Sequence, residues 1–460
     1  MSVGRGVALV LVVCAACSAD EGPPPLPTIA EVPVAEDMNP DPHILEINLR
    51  ASETTVEMMQ YYQTKVWAYN DRIPGPLLEA RVGDRVIVHF QNDLAEPTTI
   101  HWHGLRISPD MDGNPMEQPP VEPGASFTYD FTLPDAGTFW FHPHMDTIEQ
   151  IDRGMYGAIL VEEPEAVAPK FTAERLFVLD DIRLDGSYQI PSYSHTGGHD
   201  VMMGRLGNQL LTNGKIDPAT ATAKFGSVER WRLVNAATAR VLELTLDGVS
   251  WRVIASDGGL LPQPYTTDRL VMAPGQRFDV EVVYDKLSAQ AQLLAHVTTL
   301  INNVETDMAM PMVQITLDPE DIHAPLPVYP KVELPAIPDA PIEKAIALGA
   351  SDQGFTINGQ VAGSVPVDEY TQGVPVRFTI TNEIGPYHPF HLHGQFFQIL
   401  TRNDKPANEP GLKDTVLLDS FEKVQILTYL ENPGMWMYHC HIPEHAENGM
   451  MAELMVNPAP

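Results

Sequence analysis

At 460 residues the chain is too long for one domain. About 440 residues, once an export signal is removed, suit three domains of about 100–150 each. Lys and Arg number 28 against 61 Asp and Glu, a net charge of −33; such a surface excludes nucleic acid as a partner and draws cations, which fits a metal-ion substrate and equally fits acidity that serves only solubility.

Taken in chain order, residues 1–17 read as an export signal. Arg5 precedes the apolar run VALVLVV at 7–13, which is too short to span a membrane. There is no twin arginine, so the general secretory route is expected. Cys17 after Ala15-Ala16 resembles a lipoprotein cleavage box, with Cys14 where Leu usually stands; cleavage after Ala19 is the rival reading. On the first reading Cys14 is removed, Cys17 is lipidated and Cys440 binds metal, leaving no disulfide and a protein anchored in the cell envelope. On the second it is soluble, periplasmic or secreted. No other stretch reads as transmembrane.

Residues 18–40 form an acidic, proline-rich tether. Strand signals then dominate: RVIVHF (85–90) and SFTYDFTL (126–133) in a first domain at 41–165, and RWRLVNA (230–236) and RFDVEVVY (277–284) in a second at 170–322. A proline-rich linker at 323–341 is expected to be extended. RFTITNE (377–383) and KVQILTYL (423–430) follow in a third domain at 342–460. These runs mix β-branched and aromatic residues between Gly, Pro and Asp turns, which predicts an all-β chain of Greek-key sandwich domains.

Ten of the sixteen histidines fall in four clusters: HWHG (His101, His103), HPH (His142, His144), HPFHLHG (His388, His391, His393) and HCHIPEHAENGM (His439, His441, His445). Random placement predicts roughly 0.55 His-x-His pairs, and the chain has four. On a strand, residues i and i+2 share a face and i+1 takes the other. Eight imidazoles on four strands can therefore converge on three metals. In His439-Cys440-His441 the cysteine faces away from its neighbours, so one strand touches two sites joined by a few bonds. Two His, a Cys thiolate and a weak Met make a blue copper site. Cys440, with His445 at +5 and Met450 at +10, reads as such a site, and His388 completes it. Structural zinc usually takes several cysteines in CxxC spacing, and beyond Cys14 and Cys17 at the N-terminus the chain has no such pair.

The chain repeats itself. DAGTFWFHPH (135–144) aligns without a gap on NPGMWMYHCH (432–441), and HWHG (101–104) aligns on HLHG (391–394). Two related domains near the two ends thus offer matching halves of a cluster at their interface. In the first copy Thr98, Pro143, Ile148 and Arg153 stand where His388, Cys440, His445 and Met450 stand in the second. One mononuclear copper is expected, in the C-terminal domain.

These motifs, in this order over nearly the whole mature chain, resemble the multicopper oxidase family of laccases, cuprous oxidases and ascorbate oxidase. The resemblance implies three cupredoxin-like domains and four coppers. Type 1 would take His388, Cys440, His445 and Met450; type 2 would take His101 and His391. One type 3 copper would take His103, His142 and His441, and the other His144, His393 and His439. It further implies four one-electron oxidations of a small reductant coupled to reduction of dioxygen to water. Electrons would enter at His445, whose imidazole edge is expected near the surface. Asp112 stands nine residues after His103, where relatives place a proton-relay acid. The acid that relatives often carry directly after the type 1 His is replaced by Ala446, leaving Glu447 or Glu444 as substitutes.

The substrate expected from the resemblance is a phenol or aromatic amine, as in laccases, with Cu(I), as in copper tolerance, as the alternative. Met308, Met310 and Met312 alternate and are expected to share one strand face, where thioethers would suit Cu(I). Met202 and Met203 sit in a loop with His195 and His199. A third reading, a copper-binding envelope protein on a degenerate oxidase fold, requires missing ligands, and none is missing. A copper nitrite reductase would not need four His-x-His pairs. The segments GRLGNQLLTNG (204–214) and LVMAPGQRFDVEV (270–282) resemble the family's middle domain, expected to hold the outer two in register.

Overall fold

The computed structural model describes residues 32–460 apart from 287, 289, 302 and 303. The export signal, Cys14 and Cys17 lie outside the described residues. Among the described residues the chain forms six sheets, and no helix is long and apolar enough to cross a membrane. Period-two burial makes the sheets into sandwiches. In Arg85–Asn92 it turns Val86, Val88 and Phe90 inward, and in Pro375–Asn382 it does the same for Val376, Phe378 and Ile380. Each set faces the core between the two sheets of its domain.

The inner sheets of the first and third domains share one topology. In the first, the order is Leu78–Arg81, Gly157–Glu162, Gly137–His142, His101–His103. In the third it is Asp368–Thr371, Met451–Asn457, Gly434–Cys440, His388–Leu392, with Thr415–Leu418 added at the edge. The register agrees too: His101 lies opposite His142, and His391 opposite His439. The fully buried pattern of these strands follows from donor histidines on one face and Trp102, Phe141, Phe390 and Leu392 in the cores.

The middle domain pairs a six-stranded with a five-stranded sheet. In its long hairpin, Gln290–Ile301 against Val304–Asp318, the register shifts at Leu293/Leu294. Here the structure corrects an expectation. Met308 and Met310 are 39% and 40% exposed, but Met312, the extra unpaired residue of the bulge, is buried in the domain core. A bulge reverses the alternation, so the three thioethers do not share a face.

Ion pairs fix the middle domain to the first. Buried Arg230 bridges Glu163 and Asp279, and buried Arg232 reaches Glu162 and Thr138. Residues 319–341 lack regular secondary structure. Tyr329 donates to Glu281 of the second domain, while the Pro335 and Ala336 carbonyls accept from Gln398 and Tyr429 of the third. The end of the stretch read as a tether is held as well: Val32 is buried against the first domain, and Ala35 pairs with Leu77.

Candidate metal centre

Where the first and third domains meet, eight imidazoles turn their ring nitrogens toward one another. The facing nitrogens form overlapping groups, among them His144, His393 and His439, then His101, His103 and His142, and then His101, His391 and His393. Nε2 of His439 lies 3.0 Å from Nε2 of His393 and 3.4 Å from Nε2 of His144. Nε2 of His441 lies 3.2 Å from Nδ1 of His103. His142 uses Nδ1 on the Pro143 carbonyl, and its ring packs against His103 and His441. His101 and His391 use Nδ1 on backbone carbonyls at 3.0 and 2.9 Å. Among the described residues, Nε2 of His101, His142 and His391 has no hydrogen-bond partner although fully buried. Buried nitrogens are rarely left this way; a bound cation would complete them. Burial pushes His103, His142, His144, His391 and His439 well below the usual histidine range, and His393 to about 4 and His441 to about 3. All seven are therefore neutral at physiological pH, with lone pairs free for a metal.

A two-fold logic organises the eight rings. His101 of the first domain stacks on His393 of the third, and His391 of the third stacks on His103 of the first, each at 3.8 Å between centroids. Each half also has an aspartate. The Asp112 carbonyl accepts from His101, and its carboxylate takes Nδ1 of His393 at 2.8 Å. The Asp414 carbonyl accepts from His391, and its carboxylate takes Nε2 of His103 at 3.1 Å. Burial raises Asp112, but the adjacent His101 and His393 outweigh it and hold its carboxyl well below the usual range. Such second partners fix which nitrogen faces the metal.

Asp414 was not among the sequence-read candidates. It lies 21 residues after His393, against nine from His103 to Asp112, because the third domain inserts the Phe397–Arg402 strand and a longer loop. The repeat, pursued to its second aspartate, was the available signal. The middle domain also reaches in. Arg277 donates to both Asp414 oxygens, at 2.8 and 2.6 Å. Gly275, at φ +86°, leaves no room for a side chain: a Cβ there would sit 3.0 Å from the rings of His103 and His441.

On the opposite face of Gly434–Cys440 lies the second site. Sγ of Cys440 is 3.5 Å from Nδ1 of both His388 and His445, whose Nδ1 atoms are 3.0 Å apart. All three residues are fully buried. Met450 is buried beside them, its carbonyl accepting from the Cys440 N–H and its N–H donating to the His445 carbonyl. Burial pushes the Cys440 thiol up and His388 down to about 4; a thiolate there needs a cation at contact.

The multicopper oxidase family matches residues 50–166, 188–309 and 337–460. A multicopper oxidase from Staphylococcus aureus is 30% identical over 89% of this chain and 88% of its own. The chain belongs to the multicopper oxidase family.

Solved structures agree with this membership. A laccase from Pediococcus acidilactici superposes with a TM-score of 0.80 at 26% identity, covering 95% of each chain. A multicopper oxidase from Campylobacter jejuni described as a metallo-oxidase gives 0.78 at 27%, covering 94% of this chain and 96% of the other. The protein is thus a copper-binding oxidoreductase built from three cupredoxin-like domains. Its donor set fits copper: imidazoles throughout, with one thiolate and one thioether confined to the mononuclear site.

One feature of this multicopper oxidase departs from the sequence reading. The His445 imidazole is not at the surface. The middle domain's Gly198–Met203 helix lies over it and the Met202 carbonyl sits 3.3 Å from its Nε2, while the Phe355 ring packs 4.2 Å away. The outward positions above it belong to Met202 and Met203, 50% and 38% exposed. His195 lies beside Asp146 and Glu149, and His199 is exposed. On the cluster side, Glu447 accepts from the Thr147 hydroxyl at 2.7 Å. Thr147, Ala446 and the cluster residues His142, His144, His439 and His441 line one small cavity. Glu444 points elsewhere, accepting from the Arg205 N–H, and burial pushes it up to about 7.

Proposed function

We propose that this multicopper oxidase carries four coppers and oxidises Cu(I), passing the electrons to dioxygen. One copper would be held by His388, Cys440, His445 and Met450, one by His101 and His391, one by His103, His142 and His441, and one by His144, His393 and His439. Bound copper supplies the redox chemistry, one-electron uptake at the thiolate site and four-electron reduction of dioxygen to water at the cluster. The chain supplies the rest. Cys440 and its covalent neighbours His439 and His441 join the two sites by a few bonds. Asp112 and Asp414 hold four rings in the tautomers that present the required nitrogen. The Glu447 carboxylate, bonded to the Thr147 hydroxyl beside the cluster cavity, is placed to hand protons inward where relatives use the position of Ala446; Asp112 does so from the other side.

The observation that carries the substrate reading is the cover on His445. An imidazole buried beneath the Met202 backbone offers no edge for a phenol ring, whereas the helix that covers it carries two exposed methionines, Met202 and Met203, whose thioethers suit a soft monovalent cation, and the net charge of −33 draws cations in. Phenol oxidation is the second reading, supported by the likeness to the Pediococcus laccase. Oxygen uptake by the copper-loaded protein with Cu(I) and with a bulky phenol decides between them. Cu(I) is expected to be favoured at least tenfold in kcat/KM, and Met202→Leu with Met203→Leu to erode that preference while leaving phenol turnover unchanged. A phenol preference untouched by these substitutions contradicts the reading. The export signal and lipid anchor at Cys17 belong to the same proposal, since Cu(I) would be met in the cell envelope. Globomycin-sensitive processing and a Cys17→Ser variant released from membranes test the anchor.

A further inference from the structure

The seam between the second and third domains encloses a cleft of about 560 Å³, a size typical of small-molecule sites. None of the predicted copper donors lines it. Leu261, Tyr265 and Phe278 form an apolar wall from the middle domain, and Lys413 enters from the third. Lys413 is 2% exposed, and its Nζ has no hydrogen-bond partner among the described residues. Its ammonium stands over the Phe278 ring, 4.3 Å from the centroid. That cation–π contact is weaker than the hydration it replaces.

The two arginines of the cleft are already matched, and its remaining carboxylate, Asp419, lies at the exposed rim. Arg402 is held by Glu409 and Glu422, and Arg269 by Glu243. Glu409 and buried Asp257 lie close enough for Lys413 to favour their ionised forms, but Glu409 is committed to Arg402, and Asp257 accepts from the backbone N–H groups of Arg277 and Thr415. The apolar and aromatic wall therefore ends on one buried ammonium that has no hydrogen-bond partner among the described residues, with Glu409 and Asp257 as opposite charges in range.

We propose that this cleft binds a small aromatic carboxylate, its carboxylate on Lys413 and its ring against Leu261, Tyr265 and Phe278. The site is distinct from the covered His445 face and does not depend on which reductant the oxidase uses. A charge-assisted bond to a desolvated ammonium supplies the orientation, and the wall supplies apolar burial.

Calorimetric titration of the copper-loaded full chain with benzoate, and separately with uncharged benzamide, tests the proposal. One saturable benzoate site is expected, with benzamide at least tenfold weaker. Lys413→Met should weaken benzoate at least tenfold, and Tyr265→Ala several-fold, with oxygen uptake retained in the latter. Should Lys413→Met fail to fold, the benzoate–benzamide comparison and Tyr265→Ala still decide. No saturable binding, equal affinity for the two probes, or benzoate affinity unchanged in the variants (the result if benzoate simply bound copper) overturns the site.

Discussion

The first and third domains place the same strands in the same register around the cluster, yet they differ completely on the other face of those strands. In the third, His388, Cys440 and His445 converge within 3.0–3.5 Å. In the first, Thr98 donates to Gln150 at 2.7 Å, Gln150 donates to the Pro97 carbonyl, and Ile148 is buried. Arg153, standing where Met450 does, packs over Trp67 and pairs with Glu149. Ordinary packing fills the place of a metal site. The difference teaches which sites are separable. Four of the eight imidazoles of the cluster come from each domain, so neither half can be altered alone. The thiolate site lies within one domain, so a copy of the fold stands without it.

The comparison breaks most visibly at Cys440. Cys440→Ser is expected to abolish the blue absorbance and reductant oxidation while the cluster still takes up copper, as read by absorption spectra and metal analysis. Pro143→Cys at the equivalent place should add no blue band, because Thr98 and Ile148 offer no imidazole. The two aspartates sharpen it next. Asp414→Asn removes the tighter of the two close carboxylates on buried Arg277, leaving Asp257 at 3.5 Å, and should lose about 3 kcal/mol in denaturant unfolding. Asp112 has no such cation, so Asp112→Asn should unfold at more nearly wild-type denaturant concentrations while slowing oxygen uptake or weakening copper binding about 10–100-fold.

Smaller effects separate packing from ligation. Thr98→Ala should lose about 1–2 kcal/mol of stability and leave the blue band intact, whereas His388→Ala removes the band. The smallest contrast is one of burial. Glu79 and Glu369 occupy matching places in the outer strands of the two inner sheets, but Glu79 faces the middle domain and Glu369 faces solvent. Burial, with Glu162 nearby, pushes Glu79 up to about 7. A raised carboxyl binds its proton more tightly folded than unfolded, so stability is intact near pH 4.5 and declines as pH rises through 7. Glu79→Gln should therefore match wild type near pH 4.5 and gain about 1–2 kcal/mol above pH 7.5, allowing for partial exposure. Glu369→Gln should stay within about 0.5 kcal/mol throughout. Thermal melts across pH read both.

What could be read in advance was what local periodicity encodes. Four His-x-His pairs, the opposed Cys440 and the gapless repeat follow from side-chain alternation and short spacing, and the family resemblance assigned donors to metals. The structure brings these imidazoles together in overlapping groups, with His101 shared between two of them, and the division among individual metals rests on the proposal above. What escaped depends on long-range docking. Asp414 meets His103 only because the first domain docks on the third, and Arg277 and Gly275 reach the site only because the middle domain closes on it. The cover of Met202 over His445 likewise comes from another domain. Met312 turned inward because a bulge broke the alternation on which the methionine reading relied.

The central claim is that two halves of the chain jointly hold a three-metal cluster and that one half alone holds a mononuclear site. A crystal of the copper-loaded protein measured at the copper absorption edge tests it directly. The account requires four anomalous peaks, three among the eight imidazoles at the domain interface and one between His388, Cys440 and His445. A single peak, or one beside Thr98 and Pro143 in the first domain, contradicts it.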